Sequence, residues 1–131
     1  MSLLSQLFSL FSPRGDETPG TRRVEPAEAA RLVRDKKAVL VDVREPPEWA
    51  RGVAAKAALL PLSDLAGARR QWKPFLAGVG EREILLYCHS GSRCGLAARI
   101  LAAEGFRTAN AGTLRAWDRA GLPVCKPKPG R

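Results

Sequence analysis

Two near-continuous apolar runs of strand length stand out along the chain, residues 38–43 (AVLVDV) and 84–87 (ILLY). Runs of this kind, too short for buried helices and without polar alternation, fit strands covered on both faces. Between and after them the apolar positions recur at helical spacing. In PAEAARLVRDK, Ala29, Ala30, Leu32 and Val33 form a stripe, Pro26 occupies a first helical position, and Lys36-Lys37 suit the C-terminus. A second helix is predicted from Arg93 or Cys94 to Glu104, with Leu96, Ala97, Ile100, Leu101 and Ala103 on its apolar face and Gly105 as its stop. Weaker signals place an edge strand at 22–24, a short strand at 58–60, a helical region at 64–76 broken by Gly67 and Pro74, and a brief strand at 107–109. Short helices follow Pro46-Pro47, carrying Trp49 as a packing residue, and surround Leu114 and Trp117, with Val124 the last packed side chain. This alternation predicts an α/β fold: a mostly parallel sheet of about five strands with helices on both faces.

The length of 131 residues and 45% hydrophobic content suit one domain with its own core. Pro13, Gly15, Pro19 and Gly20 mark a linker, which divides the chain into an amphipathic extension and linker (1–20), the domain (21–124) and a basic tail (125–131). Leu3, Leu4, Leu7, Phe8, Leu10 and Phe11 give residues 3–11 an apolar side. It either packs as a short helix or frayed end, or makes a weak contact with a membrane surface or a protein. Without a basic n-region, and far short of a span, the start predicts neither export nor membrane insertion, so a cytoplasmic location is expected.

A net charge of +9 favours anionic substrates or partners. The cations are dispersed pairs such as Arg22-Arg23 and Arg69-Arg70, with no basic block to point to nucleic acid. Three cysteines, an odd number, suit a reactive thiol in a reducing compartment better than a disulfide scaffold. The lone histidine, His89, has no CxxC pair beside it, so no metal site is expected.

The candidate chemistry sits between the second strand and the second long helix. Cys88, His89, Ser90, Gly91, Ser92 and Arg93 form a loop C-x-x-G-x-R whose N–H groups can curl around one central atom. Those donors, the helix terminus and the Arg93 charge all favour a thiolate at Cys88. His89 reads as a loop-lining residue or as a contributor to substrate binding or proton transfer. Asp42, Arg44 and Glu45 lie at the C-terminal edge of the first strand, where open parallel sheets place their ligands. Cys94 follows Cys88 by six residues in the first helical turn and reads either as an inert helix-start residue or as a resolving thiol.

With DVREPPEWARG, Pro61-Leu62, YCHSGSRCGLAARILAAEGF and LRAW, the chain resembles the single-domain rhodanese-like sulfurtransferases over about residues 21–123. The resemblance implies the rhodanese-like three-layer sandwich. It also implies that Cys88 accepts sulfane sulfur from thiosulfate or another persulfide donor and passes it to a small thiol, cyanide or a protein thiol, with no cofactor. Residues His89 to Arg93 would form the cradle, Asp42 would support the loop and Arg44 would touch its rim. Three positions depart from the family pattern: Gly52, Val53 and Ala54 replace a G-H-I segment, the late double glycine is absent, and Cys94 stands where serine or threonine is common. Two other readings compete, a rhodanese-like binding or regulatory module without turnover and a cysteine-dependent phosphatase or arsenate reductase. The latter signature resembles a loop one residue longer, so loop length favours sulfur.

Overall fold

The structure is a computed structural model that describes residues 22–127. The amphipathic stretch 3–11, the Pro/Gly linker and the end of the basic tail lie outside the described residues. The order of elements is α1 (Pro26–Arg34), β1 (Ala38–Asp42), α2 (Pro46–Trp49), β2 (Val53–Ala54), β3 (Ala58–Leu59), α3 (Leu62–Leu65), α4 (Trp72–Gly78), β4 (Glu83–Cys88), α5 (Ser92–Ala103), β5 (Thr108–Thr113), α6 (Leu114–Arg119) and β6 (Val124–Cys125).

Strands β3, β1, β4 and β5 form a parallel sheet in that order, with the two apolar runs at its centre. A parallel bridge from Arg23 to Asn110 adds a rudimentary fifth strand beside β5, where the sequence suggested an edge. Strands β2 and β6 pair antiparallel as a separate ribbon.

Strand alternation divides the core into two layers. Val41, Val43, Ile84, Leu86 and Cys88 face one way, onto Leu65, Trp72, Cys94, Ala97, Ala98 and Leu101. Ala38, Leu40, Leu85 and Tyr87 face the other, onto Val24, Ala29, Ala54 and Trp117. Helices on both faces of a parallel sheet make the three-layer sandwich.

Several local expectations are corrected. Helix α5 does not bury Leu96, which is 44% exposed, nor Ala103. Its inward stripe is Cys94, Ala97, Ala98 and Leu101, an i, i+3, i+4, i+7 set turned toward the sheet. The region expected as one broken helix is two, α3 and α4. Asp64 on α3 accepts from the N–H groups of Arg70, Gln71 and Trp72 at 2.9, 2.9 and 3.0 Å, capping the start of α4 from outside it. Pro74 falls in the first turn of α4, where its missing N–H costs nothing. Trp49 is half-buried, and Val124, though paired in β6, is 39% exposed.

Candidate active site

The end of β4 and the start of α5 position the site. Cys88 is the last residue of β4 and is fully buried, because its side chain follows Ile84 and Leu86 onto the α5 face. The chain must then reverse within three residues to start α5. Gly91 makes that turn with φ of +95°, a left-handed conformation that disfavours side chains even though a Cβ there would meet nothing within 4 Å. The turn aims N–H groups inward. Gly91 N donates to Cys88 Sγ at 2.9 Å and Cys94 N donates at 3.4 Å, while the Cys94 thiol lies 3.4 Å from the same sulfur.

These donors set the state of Cys88. Its thiol is brought down to about 5, first by the hydrogen bond from the Cys94 side chain and then by backbone N–H groups of Cys94, Gly91 and Ser90, against the opposing effect of burial. At neutral pH Cys88 is a thiolate. Cys94 is driven the other way, chiefly by its hydrogen bond to Cys88, then by burial and by the Cys88 charge. The surroundings explain this. Cys94 Sγ also faces Asn110 Oδ1 at 3.1 Å, the Gly91 carbonyl at 3.2 Å and the Gly112 carbonyl at 3.7 Å, acceptors that suit a thiol, although the backbone N–H groups of Cys94 and Gly95 act the other way.

The remaining loop residues divide by exposure. His89, Ser90 and Ser92 are exposed at the mouth, with the two serine hydroxyls 3.1 Å apart. Arg93 is partly exposed and is engaged by a carboxylate: its Nη1 and Nη2 donate to Glu48 Oε1 and Oε2 at 2.6 and 2.7 Å. That fork holds the Glu48 carboxyl at about 2. Glu48 also accepts from the N–H of Glu45 at 3.0 Å, so the same carboxylate ties the loop to the start of α2. Glu45 itself reaches α3, where Ser63 Oγ donates to it at 2.8 Å.

Asp42 and Arg44 form a second buried cluster at the end of β1. Arg44 donates through its backbone N, Nε and Nη2 to the Asp42 carboxylate at 2.8 to 3.1 Å, and Nη2 also donates to the Gly52 carbonyl at 2.7 Å. Arg44 is 5% exposed. It is therefore an interior brace between β1 and the chain at Gly52 and does not stand at a rim, because its charge is consumed by Asp42. The Asp42 carboxylate is engaged by Arg44 and does not bond to the 88–93 loop.

Three participants were not among the residues the sequence marked for the site. Glu48 pairs with Arg93 across 45 positions. Asn110 and Gly112 reach Cys94 from β5, which carries a bulge: Leu86 pairs with Asn110, but Cys88 pairs with Thr113. The extra residue turns Asn110 so that its Oδ1 accepts from Gly112 N at 2.8 Å and meets the Cys94 thiol. The E-x-x-E spacing of Glu45 and Glu48 after the strand was a readable capping signal, although its partner Arg93 was not. Among the described residues no group of three or more His, Cys, Asp or Glu side chains is arranged to hold a metal ion.

A family model described as "Rhodanese-like domain" matches residues 25–119. A sulfurtransferase of Allochromatium vinosum is 35% identical over 100 residues, covering 75% of this chain and 88% of that protein. An uncharacterized protein of Synechocystis is 37% identical over 92 residues, 69% of this chain but only 48% of its own length. The crystal structure of a rhodanese-related protein from Thermoplasma volcanium superimposes with a TM-score of 0.65 at 27% identity, covering 79% of this chain and 97% of that one.

Proposed function

We propose, for a chain that belongs to the rhodanese-like domain family, that Cys88 carries sulfane sulfur as a persulfide, taken from thiosulfate or a related donor and given to a thiol or cyanide. The observation that carries this reading is the Cys88 sulfur held as an anion by Gly91 N–H at 2.9 Å, Cys94 N–H at 3.4 Å and the Cys94 thiol, with no cation bonded to it. An anion whose bonds are to dipoles, with the Arg93 charge acting only through space, keeps a lone pair to give.

In the first half-reaction the Cys88 thiolate attacks the outer sulfur of thiosulfate, the S–S bond of the donor breaks and sulfite departs with the electron pair. The product, Cys88–S–S⁻, carries its charge one atom farther toward the mouth formed by His89, Ser90 and Ser92. There the loop N–H groups stabilise it as they stabilised the thiolate. An acceptor thiolate or cyanide then attacks the outer sulfur, and Cys88 leaves as a thiolate, a good leaving group at a pKa of about 5. The net positive charge of the chain draws anionic donors without selecting among them.

The loop from Cys88 to Arg93 holds four residues between its ends, which supports sulfur over the longer oxyanion loop of a phosphatase. The test is direct. Incubation with thiosulfate should add the mass of one sulfur atom to the peptide containing Cys88, and cyanide should remove it as thiocyanate. Cys88→Ser should show neither. Absence of the added sulfur in the wild-type protein would overturn the proposal, and Cys88-dependent hydrolysis of a phosphate ester would replace it.

A further inference from the structure

Among the described residues, Cys94 is the one nucleophilic side chain in contact with Cys88, and the sulfur-transfer step has no use for its nucleophilicity. Its position is built from two elements. The inward stripe of α5 aims it at the sheet, and the β5 bulge sets Asn110 and Gly112 against its far side. The two sulfurs rest 3.4 Å apart, so a covalent bond of about 2.05 Å needs an approach of about 1.4 Å. Gly91, between them in sequence and with nothing within 4 Å of where a side chain would stand, is the residue at which the loop can yield.

We propose that Cys94 is a resolving thiol that captures Cys88 after oxidation by a hydroperoxide, closing a reversible Cys88–Cys94 disulfide before the nucleophile is lost. The proposal rests on Cys88 being the thiolate nucleophile of the sulfur-transfer reading, and it adds a fate for that thiolate when a peroxide arrives instead of a sulfur donor.

The chemistry balances in two steps. The Cys88 thiolate attacks one peroxide oxygen, the O–O bond breaks, hydroxide or alkoxide leaves and takes a proton from water, and Cys88 becomes a sulfenic acid. Cys94 Sγ then attacks Cys88 Sγ, the S–O bond breaks, and the departing hydroxyl leaves as water with the Cys94 proton. Two thiols have lost two electrons in all, and the peroxide has gained them. A small thiol reductant reverses the bond by exchange.

What makes the pair conditional is the source of the restraint on Cys94. While Cys88 is a thiolate, Cys94 is held protonated chiefly by donating to it, then by burial and by repulsion from its charge. A sulfenic acid is neutral and a poorer acceptor, so the two restraints that come from Cys88 ease once it is oxidised, while burial remains. Cys94 thus acts as a donor in the resting site and as a nucleophile in the damaged one. The remaining described thiol, Cys125, is exposed on the β2–β6 ribbon and makes no recorded contact with this pair.

The test uses the full chain and needs no sulfur donor for its first readout. Reduced protein is treated with a several-fold molar excess of hydrogen peroxide, alkylated, digested and mapped by mass. The expected result is a linked peptide pair joining Cys88 to Cys94, two hydrogens lighter than the thiols, with thiosulfate loading lost and then regained on reduction. Cys94→Ser should instead carry Cys88 to sulfinic and sulfonic acids, with loading not regained. Wild-type protein in which Cys88 overoxidises while Cys94 remains alkylatable, or in which Cys88 links to Cys125, overturns the inference without reference to any variant. Protein that links but never loads sulfur overturns the sulfur-transfer reading and leaves the thiol pair standing.

Discussion

The ends of the two central strands bury an anion each, and they treat it in opposite ways. At the end of β1, the Asp42 carboxylate is fully buried and meets Arg44 through three of that residue's nitrogens, and Arg44 spends its remaining reach on the Gly52 carbonyl. At the end of β4, the Cys88 thiolate is equally buried but meets only N–H and S–H dipoles, while the nearby Arg93 is occupied by Glu48. A charge matched by a bonded counter-charge is inert and structural. A charge held by oriented dipoles is stable enough to exist and still free to react.

The greatest effect on stability comes from the β1 side. Asp42→Asn leaves the Arg44 guanidinium buried without its counter-charge, and unfolding free energy should fall by about 3–5 kcal/mol. Urea denaturation followed by tryptophan fluorescence measures this. Sulfur loading per folded molecule should change little, since neither residue bonds to the loop. An equal loss of loading and stability would erase the distinction between the two ends.

The next effect is on the thiolate itself. Cys94→Ala removes the side-chain donor that contributes most to holding Cys88 at about 5, so the Cys88 titration should move upward by about one pH unit. Cys94→Ser, which keeps a donor, should move it less. The ultraviolet absorbance of the thiolate reads this directly. The sign also fixes the pH profile of loading. Because only the thiolate attacks, the wild-type rate should be flat near neutrality and fall about tenfold per pH unit below about 5, and the Cys94→Ala profile should break at higher pH.

The smallest effect concerns the partly exposed pair. Glu48→Gln breaks a fork whose side chains are 31% and 33% exposed, and stability should change by no more than about 1 kcal/mol. A thermal melt that falls as far as that of Asp42→Asn would mean that Arg93 and Glu48 brace the fold and that the loop lacks a separate electrostatic economy.

How much of this was legible in the residues depends on the range of the interaction. Residues 38–43 and 84–87 could only be buried strands, since no other short element covers both faces of an apolar run, and C-x-x-G-x-R announced a turn that collects N–H groups. The Glu45-to-Glu48 cap was also local. The helical face was read less well: Leu96 and Ala103 had the right spacing but point outward, because which stripe of α5 faces the sheet is set by how Ala97, Ala98 and Leu101 pack against β4 and β5.

The sequence by itself determined the strand, loop and helix around Cys88, because those follow from periodicity and from the conformational freedom of Gly91, both properties of neighbours along the chain. Only the tertiary structure decided what each charge would meet. It gave Arg93 to Glu48, kept Arg44 inside with Asp42, and turned Cys94 toward Cys88 with Asn110 behind it. Coulomb forces and hydrogen bonds act over a few ångströms of space, and the residues they join here lie as far as 45 positions apart in the chain.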